Sequence, residues 1–445
     1  MSIQPYIGDA AVGAYCDDAI KPVYVEAKQA VDSRFPIWSG RAVYDHAVGA
    51  LSWPASCAKH LRECREALGL SAPPSPPVAA LTPLRVEQGR LRNDHGWLHW
   101  RGLSEFSALH LVRTGSEGEL IRRLDRAQAC GRNGIRVLMM ARNMFDLAPS
   151  MVGYWLAADR MVALAEAHGL YVEACLFADA QDVMPDAHSR QVLTLAFAAW
   201  CREHPTVFPQ LCNEPFKNGF TGATDPELLA LADQFAANYG KPFSIGDPQD
   251  VVDDKATGEP LRGALTTLGQ RSAVLVLHGE RKAQDARWAP WVDHLKGFDE
   301  VYHNGTGTYR IHDEPMGAAS VTIDARRDSR GEAHLAAALV CAVMGVGFTY
   351  HYISEQDDAT PGLERCVGQM LVPASPDFIF RNAGTPGACV VAFEPGLDKI
   401  RTCDNGHEAW AVGYGHAPAG VTWAAGWSPQ IITRTEHVIL WMATR

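Results

Sequence analysis

Two carboxylates end apolar runs in this chain. VFPQLCNEP, residues 207–215, stops at Asn213-Glu214-Pro215 and passes into a Gly-containing loop. TYRIHDEPMG, residues 308–317, stops at Asp313-Glu314-Pro315. A polar pair in such a place either caps the next element and faces water, or is a catalytic acid at the mouth of a pocket. Two carboxylates facing across a cleft are the minimal equipment for cleaving a glycosidic bond. One, protonated, gives its proton to the leaving oxygen, and the other, ionised, attacks the anomeric carbon. A separation of about 5–5.5 Å gives retention of configuration, and about 6.5–9.5 Å leaves room for water and inversion. Glu280, after the run AVLVLHGER (273–281), is the rival partner for Glu214.

The elements that would position these groups follow a regular order. Short apolar runs begin at WLHWRGLSEF (97–106) and continue with IRVLMMAR (135–142), LYVEACLFAD (170–179), VFPQLCNEP (207–215), PFSIGD (242–247), AVLVLHGER (273–281), TYRIHDEPMG (308–317) and GFTYHYIS (347–354). Helical patterns at 117–130, 151–168, 189–203, 226–239, 286–297 and 332–345 alternate with them, and the helix after the fifth run is poorly marked. Strand-helix repeats in series favour parallel pairing and right-handed crossovers. Eight of them predict a closed (β/α)8 barrel over 84–371, with chemistry at the C-terminal ends of its strands. No G-x-G-x-x-G follows a strand, which disfavours a dinucleotide-binding open sheet. Glu214 then ends the fourth strand and Glu314 the seventh, on opposite sides of the mouth.

Outside the barrel the pattern differs. Residues 1–83 form an N-terminal extension, with a short helical pattern at 57–70 and a Pro-rich spacer at 71–83. LRVEQGRLRN (84–93) reads as a hairpin turning at Gln88-Gly89. From 372 to 445, short strand-like runs between Gly, Pro, Asn and Asp predict a small all-β, sandwich-like domain.

Composition narrows the function. The chain has 445 residues, 47% hydrophobic and 20% charged, which predicts a globular protein of more than one unit. A formal net charge of −11 speaks against a general nucleic-acid binder. No apolar stretch reaches the roughly 18 residues of a membrane span. The start lacks a basic region followed by an apolar one, and the 11 cysteines include no C-x-x-C pair. The expectation is synthesis in a reducing cytoplasm with free thiols, and action outside the cell through lysis or as part of a virion. The first 70 residues would be the attachment arm to an assembly partner. Cys57, His60, Cys64, Cys403 and His407 do not form a four-ligand zinc pattern, so neither a metal nor a cofactor is expected.

With these motifs in place, the chain resembles the clan A glycoside hydrolases, the superfamily of the family 5 cellulases and mannanases, over about residues 84–355. The resemblance rests on Asn213-Glu214-Pro215 ending strand four and Glu314 ending strand seven. It implies a retaining β-glycosidase in which Glu214 is the acid/base, Glu314 the nucleophile and Asn213 the partner of the substrate 2-hydroxyl. It further implies that the strand-two arginine is Arg142, followed by Asn143, and that His278 is the strand-six histidine. Departures from the family are Asp179 where strand three often ends in His, Glu280 in place of a Tyr, and Tyr350, His351 and Tyr352 in place of a Trp on strand eight. The implied substrate is an oligo- or polysaccharide.

Tyr309, five residues before Glu314, is a candidate contact of the nucleophile. Trp100, Phe145, Phe216, Trp288, Trp291, Tyr350 and Tyr352 are aromatics near predicted strand ends or loops. Of these Tyr350, Tyr352 and Trp288 are the expected sugar platform. Trp410, Trp423, Trp427 and Trp441 are expected in the core of the β domain. The competing reading is a non-catalytic carbohydrate-binding or structural barrel in a larger assembly such as a phage particle.

Overall fold

The computed structural model describes residues 80–247, 259–278, 307–314, 338–350, 375–395, 399–415, 420–434 and 438–445. A three-stranded antiparallel sheet comes first, made of β1 (Arg85–Glu87), β2 (Arg90–Asn93) and β3 (Gly96–Leu98). Its first turn is at Gln88 (φ 52°) and Gly89 (φ 69°), a left-handed pair suited to a two-residue hairpin loop.

The barrel strands are β4 (Arg101–Ser104), β5 (Gly134–Leu138), β6 (Tyr171–Phe177), β7 (Val207–Cys212), β8 (Val274–His278), β9 (Tyr309–Glu314) and β10 (Gly347–Tyr350). They form one sheet in the order β7-β6-β5-β4-β10-β9-β8, and every pairing is parallel. The fifth expected strand is reduced to a bridge. Ser244 pairs with Gln210 beside β7, and Cys212 donates its N–H to the Ile245 carbonyl at 2.9 Å. The Asp247 carboxylate then accepts the His278 backbone N–H at 2.9 Å, so the segment after β7 reaches the far end of the sheet at β8. The expected parallel barrel is therefore present.

Helices Glu117–Ala129, Tyr154–Ala167, Ala187–Glu203 and Pro226–Tyr239 lie between strands where the periodicity places them. Asp186 and Asp225 cap the last two through their carboxylates, the second with Pro226 at the first helical position. A helix at Glu259–Gly269 occupies the connection that the sequence marks poorly. The patterns at 57–70 and 286–297 lie outside the described residues. Among the described residues no helix is long and apolar enough to cross a membrane.

The barrel floor is apolar. Trp100, Tyr171, Phe208, Val274, Val276, Tyr309 and Ile311 fill it, and Leu84 and Leu91 of the N-terminal hairpin close it from below. Trp100 is fully buried, its backbone N–H donating to the Tyr309 hydroxyl at 3.0 Å. Its ring fits only because residue 134 is glycine, where a Cβ would come within 2.3 Å of the indole.

The C-terminal strands are β11 (Ile379–Asn382), β12 (Val390–Phe393), β13 (Lys399–Asp404), β14 (Glu408–Tyr414), β15 (Val421–Trp423), β16 (Ser428–Arg434) and β17 (Val438–Thr444). A five-stranded antiparallel sheet runs β11-β13-β14-β17-β16, and β12 pairs with β15. Period-two alternation gives the large sheet two apolar faces. Trp410, Val412, Tyr414, Val438 and Leu440 join the apolar layer of the barrel. Ala409, Ala411, Ile439, Trp441 and Ala443 pack with Cys389 and Val390, and Trp423 and Trp427 lie against that cluster. All four tryptophans are thus packing residues. The expected domain boundary near 372 lies outside the described residues.

Candidate active site

Glu214 is held by local backbone geometry. Strand β7 ends at Cys212, and the Asn213 N–H donates to the Phe177 carbonyl at the end of β6 at 2.8 Å. Glu214 itself is left-handed, with φ 38° and ψ 72°, immediately before the 3-10 helix Pro215–Lys217. A non-glycine residue in that region costs on the order of 1–3 kcal/mol and persists only when its surroundings fix it. Here the Asn218 amide donates to both the Asn213 and Glu214 carbonyls, and the Lys217 N–H donates to the Glu214 carbonyl at 2.8 Å. The Glu214 side chain is buried, 6% exposed.

Arg136, on β5, lies at the centre of the polar interior. It is fully buried in the run GIRVL, so its charge has to be compensated inside the barrel. Its Nε lies 2.7 Å from Asp313 Oδ2 and 3.9 Å from Glu173 Oε1. Its Nη2 donates to Asn213 Oδ1 at 2.7 Å and to Gln210 Oε1 at 3.1 Å. Asp313 also accepts the Thr349 hydroxyl at 2.7 Å, and Thr349 accepts the Trp100 indole N–H at 3.0 Å. A chain of polar contacts therefore runs from the floor to Asn213. Because a guanidinium only donates, the contact assigns the Asn213 oxygen to Arg136 and turns its NH2 to the other side, as a donor.

His278 joins the two sides of the mouth. Its Nδ1 lies 3.5 Å from both Glu214 Oε1 and Asp247 Oδ2, and its Nε2 lies 3.5 Å from Arg136 Nη2. In the neutral ring, the Arg136 donor assigns Nε2 as the acceptor and Nδ1 as the N–H directed towards the two carboxylates. In the β8–β9 register His278 pairs with Glu314, one residue out of step across a bulge. The backbone of Glu314 is thus placed beside His278 at the strand end, and its side chain lies outside the described residues.

No protein-family model and no characterised protein sequence matches this chain. Solved structures do. A protein described as a glycoside hydrolase superposes on 82% of the chain and 97% of its own length, with TM-score 0.55 and 12% identity. A family 5 glycoside hydrolase from Bacteroides vulgatus ATCC 8482 covers 81% of the chain and 93% of its own, with TM-score 0.52 and 12% identity. The fold is that of the family 5 glycoside hydrolases. A β-mannanase from Streptomyces thermolilacinus overlays on 62% of the chain and 87% of its own, with TM-score 0.42 and 16% identity.

Within this family 5 fold, the structure brings Asn213, Glu214 and His278 together. Asp179, 5% exposed, follows the end of β6 and precedes the turn Ala180–Val183. That turn lies against the loop after Glu214 at Gly219 (φ 94°), where a Cβ would come 3.0 Å from the Gln181 nitrogen.

Three expectations are corrected. The arginine that enters the site is Arg136, because β5 ends at Leu138 and Arg142 is an exposed residue of the following turn Arg142–Phe145. Tyr309 is a floor residue, since it opens β9 at the bottom of the barrel. Tyr350 faces the outer layer: its neighbour Thr349 points inward to Asp313, and the Arg132 guanidinium lies 3.4 Å over the Tyr350 ring. Asn143 has a described backbone only, and Glu280, Trp288 and Tyr352 lie outside the described residues.

The structure adds residues to those expected from the sequence. Arg136, Glu173, Gln210 and Asp313 are inward polar residues of four strands, and Asp247 holds His278. A lone arginine in an otherwise apolar run was the available signal for the first. Asp247 obeys the same strand-end rule that selected Glu214. Among the aromatics, Trp100 belongs to the floor, whereas Phe216 is 63% exposed two residues after Glu214.

Proposed function

We propose that this protein is a glycoside hydrolase that cleaves β-linked oligo- or polysaccharides with retention, using Glu214 as acid/base and Glu314 as nucleophile. The observation that carries the reading is Glu214. It is a buried carboxyl fixed in a left-handed conformation at the C-terminal end of a barrel strand, with His278 at its Oε1 and Asn213 oriented beside it by Arg136. Backbone strain of this kind gathers at sites where a side chain has to be aimed.

In the first step the Glu314 carboxylate attacks the anomeric carbon while Glu214 protonates the departing glycosidic oxygen. A glycosyl ester and a free alcohol result. In the second, ionised Glu214 takes a proton from water, whose oxygen displaces Glu314 and releases the sugar. Asn213, with its NH2 directed away from Arg136, donates to a substrate hydroxyl. The neighbouring family 5 fold supports this reading of the site. It is tested with a panel of β-linked gluco- and manno-oligosaccharides. Glu214→Gln should remove nearly all turnover while leaving the far-UV spectrum and unfolding midpoint close to those of the parent. Parental activity in that variant would reject the assignment. A parent that binds the sugars without cleaving them would favour the non-catalytic barrel.

A further inference from the structure

Lys217 stands one turn of 3-10 helix after Glu214, and its Nζ lies 3.3 Å from Glu214 Oε1. The turn that forces Glu214 into the left-handed region also places this ammonium. The Lys217 N–H is bonded to the Glu214 carbonyl, and the Phe220 N–H is bonded to the Pro215 carbonyl at 3.1 Å. From β8, the His278 Nδ1 reaches the same Oε1 at 3.5 Å. From β5, Arg136 reaches Asn213 next to Glu214 and the far nitrogen of His278. Among the described residues, the carboxylates on the surrounding elements are Glu173 on β6, Asp179 just after β6, Asp247 at the end of the fifth run and Asp313 on β9.

An acid that must donate a proton is helped by burial and by nearby negative charge, and an ammonium at ion-pair distance acts in the opposite direction. On the reading of Glu214 as the acid/base, we propose that Lys217 is a positioning residue that favours the ionised form of Glu214 and thereby sets the upper pH limit of the reaction. With an ammonium N–H directed at Oε1, the transferred proton is carried on Oε2. The consequence is an enzyme whose working range is displaced to acid pH.

The test is an infrared titration of the carboxyl band, taken as parent minus Glu214→Gln and repeated on a Lys217→Met background. Because Lys217 is half-exposed, the expected shift is at the low end for an opposite charge, with the Glu214 midpoint about one pH unit higher in Lys217→Met. Lys217→Arg should restore it. The basic limb of kcat/KM should move by the same amount in the same direction. A midpoint unchanged by Lys217→Met overturns the role of the lysine. Absence of any glycoside turnover in the parent overturns the proposed function instead, and the infrared shift still decides the lysine.

Discussion

Replacing Arg136 by Met should separate the electrostatics of the barrel interior from its packing. The guanidinium is fully buried and lies 2.7 Å from Asp313 and 3.9 Å from Glu173. At an effective dielectric of about 20, those separations correspond to attractions of about 6 and about 4 kcal/mol before desolvation is subtracted. Removing the cation leaves two buried carboxylates without it, which is expected to destabilise the protein by about 3–5 kcal/mol. Asp313→Asn alone removes the nearer charge and should also be unfavourable. The double variant should lose less than the two single losses combined, with a coupling of about 1–3 kcal/mol. The parallel cycle with Glu173→Gln should give a smaller coupling, because that carboxylate is farther away. Urea unfolding followed by circular dichroism measures all of these variants. Additivity of Arg136→Met and Asp313→Asn to within about 0.5 kcal/mol would refute the claim that this pair is an energetic unit. A larger coupling to Glu173 than to Asp313 would refute the geometry. Arg136→Lys keeps the charge but loses the fork that serves Asp313, Gln210 and Asn213 together, so it should recover stability in part and turnover hardly at all.

Acid stability should depend on His99. Burial, with help from Arg101 and Arg90, lowers its pKa from 6.5 to about 3, so the unfolded chain takes up a proton below pH 6.5 that the native state refuses. Stability therefore falls as pH drops from 6.5 towards 3, by about 3 kcal/mol at pH 4.5. His99→Gln should flatten the pH 7 to pH 4.5 difference in unfolding free energy by that amount, and equal losses in both proteins would dismiss the effect. The choice of nucleophile is read from Glu314→Gln and Glu280→Gln with an aryl β-glycoside. The first should abolish turnover and the second should leave most of it, and the reverse pattern would transfer the role to Glu280.

The order of strands and helices was legible because each helix presents one apolar face and each barrel strand is a short apolar run. The same property hid which way the strand residues point. Gly347–Tyr350 and Gly134–Leu138 are buried throughout, so no polar alternation marks the inward face. Tyr350 therefore looked like a platform, although Thr349 is the inward residue. Arg136 lies mid-strand, where the strand-end rule does not reach, although a charge inside a fully buried strand requires partners. The positions of Glu214, just after β7, and of His278, at the end of β8, were legible because each closes an apolar run. Asp247 ends the fifth expected strand, but its bond to His278 joins residues far apart in sequence and follows only from closure of the sheet.

The most direct test of the central claim is the fate of azide in Glu214→Ala. With an activated aryl β-glycoside, the leaving group needs no protonation, so the glycosyl-enzyme still forms and then stalls for want of a base. Azide needs no base. The account predicts that azide restores turnover and that the product, identified by proton NMR, is the β-glycosyl azide. An α-glycosyl azide, or parental turnover in Glu214→Ala indifferent to azide, would contradict Glu214 as the acid/base of a retaining glycosidase.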